Sequence, residues 1–217
     1  MILVFNCNLA YALPPGKYEK PPRVRFMLEH QRLRILPWGH SPEKMADPRR
    51  RVVVDANTSN LQGFICQWLP RRRWLDWLLP RLHRWEIHEA EDESLLFTMQ
   101  EWKGLVPFLR RVFWQVSDAE DHAVGTVECR RQPDPSGGIS TAVARDPSGQ
   151  VVALVERWPA STETPSIVIQ PGVPTNLGEL ATVSRRPDGV LVEFANSLEG
   201  QPFAKMLVLA AILAADD

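Results

Sequence analysis

The sequence predicts an all-β protein, a closed antiparallel β-barrel of about twelve strands around a hydrophobic C-terminal helix. Three observations predict it. Short apolar runs alternate with polar turns from residue 50 onward, acidic turn segments recur at close intervals, and the last run of the chain is apolar on every side. The composition allows such a fold. A chain of 217 residues accommodates one large all-β domain or two small ones. With 44% apolar and 24% charged residues it falls among ordinary globular proteins, which excludes the disordered and membrane-embedded classes.

The strand-like runs occupy residues 51–55, 61–68, 84–90, 95–100, 111–117, 123–130, 139–145, 150–158, 166–170, 177–185 and 189–195. Several alternate cleanly. Trp85 and Ile87 share one face with Glu86 and His88 opposite, Val112, Trp114 and Val116 share another, and so do Val190, Val192 and Phe194. Between the runs stand turn formers. Asp118-Ala119-Glu120-Asp121 precedes Val124, Asp146-Pro147-Ser148-Gly149 precedes Val151, and Arg186-Pro187-Asp188-Gly189 is a compact version. Looser copies lie at Asp55-Ala56-Asn57 and Glu89-Ala90-Glu91-Asp92. Asp, Pro, Ser and Gly supply the φ angles and local hydrogen bonds of tight hairpins. The repeating unit is therefore one hairpin, too short for the four-stranded blade of a propeller.

Residues 204–215 are strong helix formers without Gly or Pro, and only Lys205 near the start is polar. A helix apolar all round is buried in protein or in lipid. At ~1.5 Å per residue the run reaches roughly 18 Å, short of a hydrocarbon core of roughly 30 Å. Burial inside protein is expected, with no transmembrane span. A helix roughly 10 Å across needs more strands than the eight whose own side chains fill a barrel. A twelfth strand is available from residues 32–36 or from the short piece before Phe203.

Residues 1–49 are expected to be an irregular N-terminal extension to the barrel of residues 50–217. Pro14-Pro15-Gly16, Pro21-Pro22, Ser41-Pro42 and Asp47-Pro48 break regular structure, and only residues 24–36 suit one short strand or helix. The apolar start at Met1-Ile2-Leu3-Val4-Phe5 lacks a basic flank and is interrupted by Asn6 and Asn8, unlike a signal peptide. Cys7, Cys66 and Cys129 are odd in number and unclustered, which predicts no disulfide framework and a reducing, cytoplasmic setting.

The order of acidic-turn hairpins, then Leu177-Gly178-Glu179-Leu180-Ala181, then Val190-Leu191-Val192-Glu193-Phe194, then the Leu/Ala-rich terminal helix resembles the phospholipid scramblase and LURP-one group. That group shares the tubby C-terminal fold. The resemblance covers about residues 50–217 and implies a barrel threaded by a hydrophobic helix and a non-catalytic module associated with lipid. The chain lacks the clustered cysteines and the proline-rich arm of scramblases, so scrambling itself is not expected.

Charge is split along the chain. Residues 1–90 hold 15 Lys+Arg against 8 Asp+Glu, and residues 91–217 hold 10 against 18. The densest basic stretch joins the second and third runs and mixes arginines with tryptophans: Arg71, Arg72, Arg73, Trp74, Trp77, Arg81 and Arg84. Arginine attracts anionic headgroups and Trp favours the membrane interface, so these seven are the candidate lipid-binding residues. The competing reading is an amphipathic cap on one barrel end. Arg110-Arg111 before Phe113-Trp114 could extend the patch.

Partners are expected to be anionic membrane lipid or a protein, not nucleic acid, since no nucleic-acid motif is present and the second half is acidic. Cys129 with His122 and Asp121 has the residue types of a thiol nucleophile, and His83, His88, Glu89 and His122 those of a metal site. Neither has a supporting spacing, and acidic turns are more simply turns than calcium loops. No cofactor or catalytic residue is expected. The alternatives are a protein-interaction scaffold and a hydrolase or metal enzyme on a β-sandwich.

Overall fold

The computed structural model describes residues 26–37, 49–68, 83–102, 111–131, 139–155, 166–170 and 178–216. A single helical turn, α1 (Phe26–Glu29), precedes β1 (Arg32–Ile35), β2 (Arg50–Asp55), β3 (Leu61–Trp68) and β4 (Arg84–Glu89). There follow β5 (Leu95–Trp102), β6 (Arg111–Asp118), β7 (Ala123–Arg131), β8 (Ile139–Arg145) and β9 (Val151–Val155). The last elements are β10 (Ser166–Ile169), β11 (Glu179–Arg186), β12 (Gly189–Phe194) and α2 (Pro202–Asp216). Each strand pairs antiparallel with its neighbour in sequence, and β1 pairs with both β2 and β12, closing a twelve-stranded barrel. The sheet is not split into the two layers of a sandwich.

The closing strand is Arg32–Ile35, the first of the two sources the sequence offered. Leu33 and Ile35 are buried, while Arg32 and Arg34 face out to Glu193 and Asp188 at 2.7 and 2.8 Å. Residues 24–36 were expected to hold one short element. They hold both α1 and β1, with the chain reversing at His30-Gln31.

Alternation fixes the barrel's inside. Trp85 and Ile87 on β4, Phe97 and Met99 on β5, Trp114 and Val116 on β6, and Val183 on β11 are all at most 1% exposed. The Trp85 and Trp114 rings meet at 4.9 Å between centroids with a 41° tilt. α2 runs through this interior, buried continuously from Lys205 to Ala215. It lies nearest β8, β7 and β9. There the wall offers Ala142, Ala144 and Ala153, none of them exposed, whose small side chains let the helix approach. The tryptophans and other large side chains of β4–β6 occupy the wider remainder. Small side chains on the near wall and large ones opposite match an off-centre helix, as dense packing requires.

α1 stoppers the end where α2 begins. The Lys205 ammonium donates to the Leu28 carbonyl at 2.7 Å, and the Met27 amide donates to a Glu89 carboxylate oxygen at 3.1 Å. Gly63 makes room for this stopper. A Cβ there would collide with the His88 carbonyl and stand 2.7 Å from Met27 Sδ. No helix among the described residues is long and apolar enough to cross a membrane.

Candidate functional site

Antiparallel meandering gives the barrel two unlike ends. At one end lie the tight turns β2–β3, β4–β5, β6–β7 and β8–β9, together with the start of α2. At the other end the C-terminal residue Asp216 of α2 meets Arg51 and Arg185.

The tight-turn end is acidic because its turns are built on aspartates. Asp55 Oδ1 accepts from the Asn57 and Thr58 amides at 2.6 and 3.1 Å. Asp92 Oδ1 accepts from the Ser94 amide at 3.0 Å, and Asp118 Oδ1 from the Glu120 and His122 amides at 3.0 and 2.9 Å. Asp146 Oδ1 accepts from the Ser148 hydroxyl at 2.6 Å and from the Ser148 and Gln150 amides at 2.9 Å each. The Asn57 amide is the main cause holding Asp55 below the ordinary carboxylate value, and the Ser148 hydroxyl plays that part for Asp146. Asp118, Glu120 and His122 also gather donor atoms within 4.8 Å of one another. Their geometry is that of the turn, with Asp118 already accepting two amides. A depression of about 510 Å³ at this end is bordered by His30, Glu89 and Glu91, but Glu89 serves α1 and His30 serves Asp55 at 2.8 Å.

The enzyme constellations are not assembled. His122 stands in the β6–β7 turn, whereas Cys129 lies seven residues along β7, roughly 20 Å away at ~3.3 Å per residue. The Cys129 thiol is fully buried, 3.5 Å from the Ala214 carbonyl. His88 faces outward with Nδ1 3.0 Å from the Glu93 carbonyl, and His83 stands at the other end of β4, 3.8 Å from Glu101. These histidines do not converge with His122.

Of the candidate lipid-binding residues, Arg71, Arg72, Arg73, Trp74, Trp77 and Arg81 lie outside the described residues, as do residues 1–25 with their apolar start. Arg84 is described. It opens β4 on the outer face, is 43% exposed, and has Nε 3.2 Å from Glu86. Around it the structure adds two tryptophans that were not among the candidate residues. Trp68 ends β3 and Trp102 ends β5, and both point away from the barrel, 59% and 65% exposed. Arg111 and Arg130, opposite one another on β6 and β7, share the carboxylate of Glu128 at 3.3 and 3.0 Å.

Why these tryptophans face out follows from register. Ile65 is wholly buried, so Trp68 three positions on points outward, and Trp102 does so after inward Met99. That parity was available in the sequence. Comparison with protein-family models gives no match for this chain, and comparison with curated proteins and with solved structures likewise gives none.

Proposed function

We propose that the barrel is a non-catalytic binding module that docks peripherally on an anionic lipid surface through the end bearing Trp68 and Trp102. The observation that carries this reading is the pair of outward, mostly exposed tryptophans beside Arg84, Arg111 and Arg130. Exposed aromatic rings gain free energy at the headgroup level, and each arginine near an anionic surface adds about 1 kcal/mol. The sequence that follows Trp68 carries Arg71, Arg72 and Arg73, which are candidates for the same lipid-binding role. A relationship to the scramblase, LURP-one and tubby-like barrels belongs to the proposal. Its support is a twelve-stranded closed sheet around an apolar terminal helix. A reducing, cytoplasmic setting fits the odd number and scattered spacing of Cys7, Cys66 and Cys129.

The rival reading is a protein-interaction scaffold, because Trp and Arg also dominate protein interfaces. Co-sedimentation with phosphatidylcholine vesicles, with and without phosphatidylserine, separates the two. The lipid reading expects binding that needs phosphatidylserine and weakens with salt. Arg71/Arg72/Arg73→Ala should weaken it about a hundredfold, from roughly 1 kcal/mol per arginine. Equal, negligible sedimentation of wild type and variant on both vesicle types would sink it.

A further inference from the structure

Charge is polarised in space as well as along the chain. The α1 turn with its reversal, the four tight turns and the β12–α2 connection all lie at one end of the barrel, as residues 26–31, 55–60, 89–94, 118–122, 145–150 and 195–201. Together these segments hold eleven Asp and Glu against one Arg, Arg145. The remaining connection at this end, residues 171–177, carries no charge. Within this surface lies the depression of about 510 Å³ bordered by His30, Leu61, Gln62, Glu89, Ala90 and Glu91. Leu61, 36% exposed, gives it an apolar part. Glu89 is committed to the Met27 amide at 3.1 Å, whereas Glu91 is exposed and pairs with no described residue.

The chain enters the barrel at the edge of this depression. Phe26 opens α1, Met27 reaches Glu89 and His30 borders the depression, so what precedes Phe26 starts beside it. The preceding sequence is basic. Residues 17–25 hold Lys17, Lys20, Arg23 and Arg25 against Glu19, and residues 1–16 hold no charged side chain. These residues lie outside the described ones. The geometry points to the depression as the docking site of residues 17–25 of the same chain, held by charge and by Tyr18 and Val24 against Leu61. Nine extended residues reach roughly 30 Å, enough to cross a depression of this size. Exposed charge pairs attract weakly one by one. A tether of a few residues offsets that weakness by raising the effective concentration to about the millimolar range, and the field of a one-signed surface adds to it. Docked, the segment anchors α1 from its N-terminal side, and with it β1, the strand that closes the barrel. None of this depends on the lipid reading of the tryptophan-bearing end.

Paramagnetic broadening of backbone amides tests the docking in the full chain. Gly16→Cys carries a nitroxide, Cys7 and Cys66 are replaced by serine, and Cys129 stays because it is fully buried. The expected result is a loss of amide intensity of at least about twofold at Gln62, Ala90 and Glu91 in ~0.05 M salt. It recovers in ~0.5 M salt, where screening makes charge attraction about threefold shorter in range. Arg186, at the opposite end, should stay sharp. Glu91→Gln, a change at an exposed turn position, should weaken the low-salt broadening, and Lys17→Gln/Lys20→Gln/Arg23→Gln should remove it. Broadening that salt and both variants leave unchanged would reveal a tether without a site and overturn the proposal. Broadening centred on Ser148 in the β8–β9 turn would overturn it as well. A mixture of the spin-labelled chain with an isotope-labelled chain lacking the nitroxide shows whose segment docks. Broadening in that mixture would assign the depression to a second copy and overturn docking within one chain.

Discussion

Replacing Ile212 by alanine probes whether α2 is the core of the barrel. Ile212 is wholly buried inside it. Truncation removes three carbons, about 2.4 kcal/mol of transfer free energy at ~0.8 kcal/mol each. The cavity left among side chains of a closed sheet, which cannot easily collapse, adds ~24 cal/mol per Å³. The sum should reach about 3–4 kcal/mol. Alanine is the better helix former, so the loss cannot be blamed on helix propensity. In a domain of this length each kcal/mol lowers the melting temperature by about 2–4 °C, giving a fall of roughly 10 °C. Phe203, at the start of the same helix and 56% exposed, provides the control, and Phe203→Ala should stay within about 0.5 kcal/mol. Urea denaturation read by circular dichroism measures both, with unchanged slope as the sign that stability alone moved. Similar losses for the two variants, or less than about 1 kcal/mol for Ile212→Ala, would refute burial of α2 within the sheet.

Two further expectations follow from charged groups. Burial holds the Lys205 ammonium below its ordinary value of 10.5, so the folded state sheds this proton before the unfolded chain does. Stability of wild type relative to Lys205→Met should therefore rise as pH climbs from the depressed value toward 10.5, and parallel pH profiles of the denaturation midpoint would contradict it. Asp146 is shifted the other way: its hydrogen bonds stabilise the fold above the ordinary value of 3.8 and lose that effect as pH falls through the lowered one. Asp146→Ala should cost roughly 1–2 kcal/mol near neutral pH and progressively less in acid. A constant difference from neutral to acid pH would count against the turn hydrogen bonds as its source.

Much of the barrel is written in local patterns. Period-two alternation around Trp85, Trp114 and Val192 set the inward faces, Asp-led turns marked the hairpins, and a run without polar residues on any side had to be enclosed. What local patterns do not contain is contact between distant residues. Nothing near Arg51 announces that it will close on Asp216, nor does anything near Leu28 announce Lys205. Alanine is a weak strand former, and the helix lying against the alanines of β8 and β9 accounts for their small size. Trp68 and Trp102 were hidden for a different reason. Trp68 was read as the last residue of a strand and Trp102 fell just beyond the 95–100 run, and their outward direction depends on parity relative to Ile65 and Met99.

Which end of the barrel meets a membrane is the most direct test of the functional account. With Cys7, Cys66 and Cys129 replaced, an environment-sensitive fluorophore is attached either at Gln100→Cys, on the outer face beside the tryptophan end, or at Glu91→Cys in the acidic β4–β5 turn. Both are then exposed to phosphatidylserine-containing vesicles. The account predicts a blue-shifted, brightened signal from position 100 and none from position 91. A response at position 91, or silence at both while the protein co-sediments with the vesicles, would contradict it.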